Sequence, residues 1–120
     1  MKGFDPELFL DIAKKIWNDK NFNLEGRLRT AISRSYYAAF LKSFLKLQSL
    51  GDSFQDDQRI HKIVRDKLQK RKKSNIASKL NTLFDNRVKA DYKPYAKVDL
   101  SLYQQSVKLA ENIINQIDEL

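Results

Sequence analysis

The sequence predicts an all-α protein: an up-and-down antiparallel bundle of four to five helices, in a single domain over residues 1–120. Three observations lead there. Apolar residues recur at three- and four-residue spacing along most of the chain. Only 3 glycines and 2 prolines interrupt it, too few for a fold built on many tight turns. The segments between periodic stretches are short, which favours antiparallel neighbours. No segment reads as a strand, and no internal repeat or low-complexity tract stands out.

The first helix opens at Asp5-Pro6-Glu7, where an acceptor, a proline and an acid stand in the order a helix start favours. Leu8, Ile12 and Ile16, with Phe9 and Ala13, give it an apolar face, and it should end between Asp19 and Asn23. The second helix starts at Asn23 or Leu24 and runs to about Leu50, where Gly51 supplies a left-handed stop. From Tyr36 to Leu47 it is apolar on almost every side, so it should be the central element. Ala31, Ser35, Ala38 and Ala39 are small enough to let a neighbour come close. So apolar a girth is expected to exceed what a small bundle covers, which points to a symmetric homodimer.

A polar loop over Asp52 to Gln58 leads to the third helix, about Gln58 to Lys72, with Ile60, Val64 and Leu68 as a narrow apolar stripe. Ser74 is then a good cap for a fourth helix from about Asn75 to Tyr92, with Ile76, Leu80, Leu83 and Phe84 inward. Pro94 disfavours helix at Lys93. The fifth helix, about Asp99 to Glu119, should bury Val107, Ala110, Ile113, Ile114 and Ile117.

Composition narrows the function. The absence of cysteine excludes disulfides and thiolate metal sites and fits a reducing, cytoplasmic setting. The N-terminal MKGFDPELF has no apolar run of the signal-peptide kind, and no stretch approaches the roughly 20 apolar residues of a membrane span. One histidine makes a protein metal site implausible, and neither GxxxxGK[ST] nor GxGxxG occurs, so no metal and no cofactor is expected.

The net charge is +8, and all of it resides between Arg59 and Lys79, where nine Lys/Arg face one acid, Asp66. Such a patch attracts phosphate backbones or an acidic partner. Its densest run, Lys70, Arg71, Lys72 and Lys73, is the candidate nucleic-acid patch; the plainer reading is a solvated helix face.

Two segments place an arginine and tyrosines among residues suited to a core: Arg34 to Phe40 and Arg87 to Tyr92. A buried guanidinium is costly unless paired. Arg87 and Asp91, four apart, share a helix face, but with the cation first this is the weaker orientation, worth a few tenths of a kcal/mol. Stability alone is therefore a poor reason for the pair. Oriented by Asp91, the Arg87 fork suits a phosphate or a carboxylate. Arg34 and Tyr37 also share a face, and Tyr92 adds a hydroxyl, so the candidate ligand-binding set is Arg34, Tyr37, Arg87 and Tyr92. Tyr36, Phe40 and Phe44 form an aromatic stripe better read as core than as a stacking platform. His61 reads first as a structural hydrogen-bonding residue, with Lys62 and Arg65 beside it leaving room for a proton-transfer role near an anion.

At these residues the chain resembles a small stand-alone HEPN protein (higher eukaryotes and prokaryotes nucleotide-binding). Arg29-Thr30-Ala31-Ile32-Ser33-Arg34-Ser35-Tyr36-Tyr37-Ala38-Ala39-Phe40 is similar to the family's R-x-A-(I/V)-S-R-x-Y-Y-A-x-F stretch, and Arg87 to Tyr92 to its R-x-x-A-D-Y ending. His61 falls where many such proteins carry a histidine at the start of their third helix. The resemblance spans about Arg27 to Tyr92. It implies a four- to five-helix bundle, a homodimer, and a nucleotide- or RNA-binding module. In some relatives it implies a role beside a minimal nucleotidyltransferase as toxin and antitoxin, and in many a metal-independent ribonuclease. The ribonucleases follow their arginine with a histidine on the same helix; here Asp91 and Tyr92 stand in that region, and no histidine follows His61. If RNA is cut, Arg87 and Asp91 are the catalytic candidates. A third reading is an interaction scaffold whose arginines grip acidic groups of a partner.

Overall fold

Asn23 starts the longest helix: its side-chain oxygen accepts the Glu25 amide at 3.0 Å, filling one of the donors a helix start leaves unpaired. The computed structural model describes residues 3–55 and 59–120, and in them five α-helices and no strand. They are α1 (Glu7–Ile16), α2 (Leu24–Ser49), α3 (Ile60–Lys70), α4 (Ser74–Tyr92) and α5 (Leu100–Asp118). The chain is all-α, as its periodicity predicts. The expected start of the third helix at Gln58 lies outside the described residues.

α2 is the axis, packing against all four other helices. Ala31, Ile32, Ser35, Tyr36, Ala38, Ala39, Ser43 and Leu47 are wholly buried along it. Burial on that scale removes apolar area from water on every side of one helix, and this is the main favourable term of the fold. The expectation that α2 would be left partly uncovered is corrected. Of its large apolar residues only Leu24 and Leu45 stay exposed.

The exposed apolar row lies instead on α1, where Leu8 and Ile12 are 48 % and 47 % exposed and Phe4 stands just before them at 52 %. Periodicity groups Leu8 and Ile12 with the apolar face of this helix. Apolar residues cover more than half the girth of α1, and the arc that meets α2 and α5 is the one through Leu10 and Ala13, with Phe9, Ile16 and Trp17 half-buried beside it. Trp17 stacks on Tyr103 of α5 at 5.6 Å, and the Tyr103 hydroxyl donates to the Ala13 carbonyl at 3.2 Å, which fixes that seam.

Both ends of the α2–α3 pair close alike. Gly51 takes a positive φ of 101°, and Asp52 N–H bonds back to the Leu47 carbonyl at 3.0 Å. After α3 the left-handed residue is Lys72 (φ 62°), with Lys73 N–H on the Leu68 carbonyl at 2.9 Å. Ser74 is the first residue of α4 rather than its cap; Lys73 takes the cap position, and no side chain caps that end. Arg71 joins the two turns: its fork holds both Asp52 oxygens at 3.1 Å and the Leu50 carbonyl at 3.2 Å. The guanidinium holds the Asp52 carboxyl below its ordinary pKa range. Asp99 caps α5 through the Leu102 amide at 2.9 Å. Ala110, Ile113, Ile114 and Ile117 are buried as expected, while Val107 is only half-buried.

Arg29 of α2 secures the end of α4. Its Nη1 donates to the carbonyls of Lys89 (3.0 Å), Ala90 (3.1 Å) and Lys93 (3.1 Å), and its Nη2 to those of Pro94 (3.4 Å) and Ala96 (3.0 Å). Glu25 holds its Nε at 3.2 Å. One half-buried cation thus satisfies carbonyls that a helix end leaves open, at the negative end of the α4 dipole.

Arg29→Ala is expected to lower the unfolding free energy by about 2–4 kcal/mol, because several charged hydrogen bonds go and carbonyls are left open. Urea unfolding measures the loss, and amide exchange should localise it to the last turn of α4. Arg71→Ala, on a half-exposed pair at a turn, should cost less.

Candidate functional site

The last turn of α4 lies against the first half of α2, and the polar side chains of both meet there. Arg87 is only 9 % exposed. Its Nε donates to Asp91 Oδ2 at 3.0 Å, and Ser33 Oγ donates to the same oxygen at 3.0 Å. Its Nη2 donates to the Tyr37 hydroxyl at 2.6 Å and reaches the Tyr92 hydroxyl at 3.4 Å. The guanidinium carbon sits 5.1 Å from the ring centres of both Tyr37 and Tyr92. Burial of Arg87 makes this pair more than a surface i,i+4 contact, since its guanidinium has largely left water and must be satisfied by its partners, while the Asp91 carboxylate stays partly exposed.

Arg34 stands on the other side of Tyr37. Its guanidinium lies 4.7 Å from the Phe9 ring and 5.0 Å from the Tyr37 ring, with one long bond to Ser33 Oγ at 3.4 Å. No carboxylate pairs with it among the described residues. Asp91 pairs with Arg87, Arg34 has no carboxylate partner among the described residues, and the cluster keeps a net positive charge. Arg87 Nη1 has no hydrogen-bond partner among the described residues. The Tyr37 hydroxyl accepts from Arg87, which leaves its own proton free to donate. The arrangement is pre-shaped for an oxyanion, with the Arg87 fork held in one orientation before anything binds.

The structure thus brings Arg34, Tyr37, Arg87, Asp91 and Tyr92 into one cluster and adds Ser33, which the sequence reading passed over. The signal for Ser33 was its place beside Arg34 in the α2 motif. The Lys70 to Lys73 run is elsewhere, at the α3–α4 turn, roughly 20 Å along α4 from Arg87 at 1.5 Å per residue. There Lys70, Lys72 and Lys73 are exposed, and Arg71 is bound to Asp52. Among the described residues no three His, Cys, Asp or Glu side chains gather as a metal site would need. No helix among them is long and apolar enough to cross a membrane.

His61, in the first turn of α3, is held in an aromatic box. Phe40, Phe84, Tyr36 and Tyr37 surround it with ring centres 4.6, 5.4, 5.5 and 6.2 Å away. Its Nδ1 pairs with the hydroxyl of Tyr36. Burial pushes the Tyr36 phenol far up, so it keeps its proton and donates it. That assignment puts the neutral imidazole's proton on Nε2. Burial, then the charges of Arg87 and Arg65, push the His61 pKa below its ordinary value. Through Tyr36 and Tyr37 the histidine adjoins the Arg87 cluster, a contact that a 26-residue gap in sequence conceals.

The family model of the HEPN domain matches residues 7–120. The chain belongs to the HEPN family. Membership makes it, in general terms, a nucleotide- or RNA-related module, and the five-helix bundle accords with it. No curated protein and no solved structure matches the chain. In this HEPN protein the two motif segments are the two walls of the cluster: Arg29 to Phe40 on α2 and Arg87 to Tyr92 on α4.

The depressed His61 pKa carries a sign. Above its ordinary pKa near 6.5 the ring is neutral folded or unfolded, and it has no effect on stability. As pH falls through that range the unfolded chain takes up the proton first, so the folded state loses stability until the folded pKa is passed. The melting temperature should therefore drop between neutral pH and about pH 5, and His61→Gln should flatten that slope. Scanning calorimetry of both proteins across this range checks it.

Proposed function

We propose that this HEPN protein binds a phosphate of a nucleotide or RNA chain between Arg87 and Arg34. The observation that carries this reading is the unspent edge of a fixed, buried guanidinium beside a second guanidinium with no carboxylate of its own among the described residues. Tyr92, 67 % exposed and 5.1 Å from Arg87, offers a ring face for a base. Lys70, Lys72 and Lys73 add long-range attraction for a polyanion.

The protein acts as a homodimer in this reading. The exposed row of Phe4, Leu8 and Ile12 is the apolar patch a second copy would cover, and Phe9 on the same helix supports Arg34. A minimal nucleotidyltransferase in a toxin–antitoxin-type pair is the protein partner that the family resemblance implies.

A second reading is a metal-independent endoribonuclease, favoured by the contact of His61 with the tyrosines that flank Arg87. Arg87 would stabilise charge developing on the phosphorus oxygens, and His61 or Asp91 would move protons. In the scaffold reading the same arginines hold carboxylates of a partner protein.

Fluorescence anisotropy with a short single-stranded RNA, in EDTA, separates these. Arg34→Ala should weaken binding about tenfold or more, near 1.4 kcal/mol, with little change in melting temperature. Arg87→Lys should not restore what Arg87→Ala loses, since lysine lacks the planar fork. Replacing Lys70, Lys72 and Lys73 with Gln should make the log–log salt slope shallower by about 2, at roughly 0.7 per phosphate contact. RNA cut in EDTA by the wild type but not by Arg87→Ala or His61→Gln would establish the ribonuclease instead. No binding of RNA or nucleotide at low salt would leave the scaffold.

Sedimentation equilibrium should give twice the 14.1 kDa chain mass. Leu8→Glu with Ile12→Glu should return it to the monomer, because two charges on the apolar row oppose its burial.

A further inference from the structure

Arg65 belongs to the basic segment but lies outside the run of lysines at the turn. It belongs to the face of α3 that meets α4. Its guanidinium lies 5.0 Å from the Phe84 ring centre, which holds the planar group in place. It makes no hydrogen bond and no ion pair with any described residue, and its Nη1 is fully buried without a partner. Arg65 is one of the residues lining a groove of about 330 Å³ between the two helices.

The lining of that groove suits an oxyanion. Ala77 forms part of the wall, and its methyl group leaves the space open where a larger side chain would fill it. Gln69 on α3 and Ser78 and Asn81 on α4 supply neutral donors. Lys62 and Asp66 also border the groove, but they pair with each other at 2.8 Å and cancel. The charge left over is that of Arg65. The surrounding segment, with nine cations to one acid between residues 59 and 79, raises the local concentration of anions.

We propose that the groove between α3 and α4 is a second phosphate subsite, with Arg65 as its anchoring cation and Gln69, Ser78 and Asn81 as its neutral donors. A tetrahedral phosphate presents several acceptor oxygens, which converging donors from two helices can share, whereas a carboxylate presents two. The subsite is built from side chains that the Arg87 cluster does not use, so either can fail without the other.

The test is a titration with inorganic phosphate at constant ionic strength, followed by the Nε–H signals of Arg65 and Arg87 and the amides of Ser78 and Asn81 in ¹H–¹⁵N spectra. Saturable shifts at Arg65, Ser78 and Asn81 are expected, lost in Arg65→Gln and kept in Arg87→Gln. Shifts that stay linear, or that persist in Arg65→Gln, would overturn the proposal and leave Arg65 satisfied by water. Should Arg65→Gln disturb the whole spectrum, Asn81→Asp decides: it leaves Arg65 untouched, sets a carboxylate in the groove and should abolish saturation. Wild-type binding in that variant would equally overturn the proposal. A dinucleoside monophosphate with no terminal phosphate gives the source. The same saturable shifts at Arg65 would assign a backbone phosphate, and their absence alongside a response to inorganic phosphate would assign a free or terminal one.

Discussion

Arg29 donates to five main-chain carbonyls at and beyond the last turn of α4, and the geometry of the cluster depends on it. The end of a helix frays unless its open carbonyls find donors. Here the donors come from the neighbouring helix, so the end of α4 and the first half of α2 are held as one unit. Arg87, Asp91 and Tyr92 sit in the turns that this side chain secures, and Ser33, Arg34 and Tyr37 follow it within the next two turns of α2. A site whose contacts cross between two helices needs such a frame, because a small shift of α4 against α2 would separate Arg87 from Tyr37 and Asp91 from Ser33.

Arginine does four different jobs in this HEPN protein, and the partners decide which. Arg29 is surrounded by carbonyls and serves as a helix cap. Arg71 meets a carboxylate across two turns and serves as a clamp. Arg87 is held by one carboxylate and two tyrosines, with a nitrogen to spare. Arg34 and Arg65 lie on aromatic rings with no acid paired to them among the described residues. Aromatic support fixes a guanidinium without using its donors, and a charge fixed in that way remains available to a ligand.

His61 illustrates how burial changes a residue's chemistry. In water its ring would be part-charged near neutral pH. Inside the aromatic box, with Arg87 and Arg65 close, the neutral form is favoured and Tyr36 selects its tautomer. The sequence reading of Tyr36 and Phe40 as core agrees with their burial, and the box is what core packing makes of a histidine placed among them.

Local rules determined much of this protein from its sequence. Asn23, Gly51 and Asp99 mark helix limits because caps and left-handed turns depend on neighbours a few residues away. The central place of α2 was legible because a helix apolar on all sides has no face left for water. The motif residues of the cluster were legible as chemistry, since a buried arginine demands partners. Tertiary structure decided the rest. Periodicity placed Leu8 and Ile12 on an apolar face of α1 but could not say which part of that wide arc meets α2 and α5. Nothing local to Arg29 announces that its partners are carbonyls 60 or more residues away. The same holds for His61 beside Tyr36 and for Arg65 over the Phe84 ring, because a side chain's partners are set by how helices lie across one another, and that is a property of the packed whole.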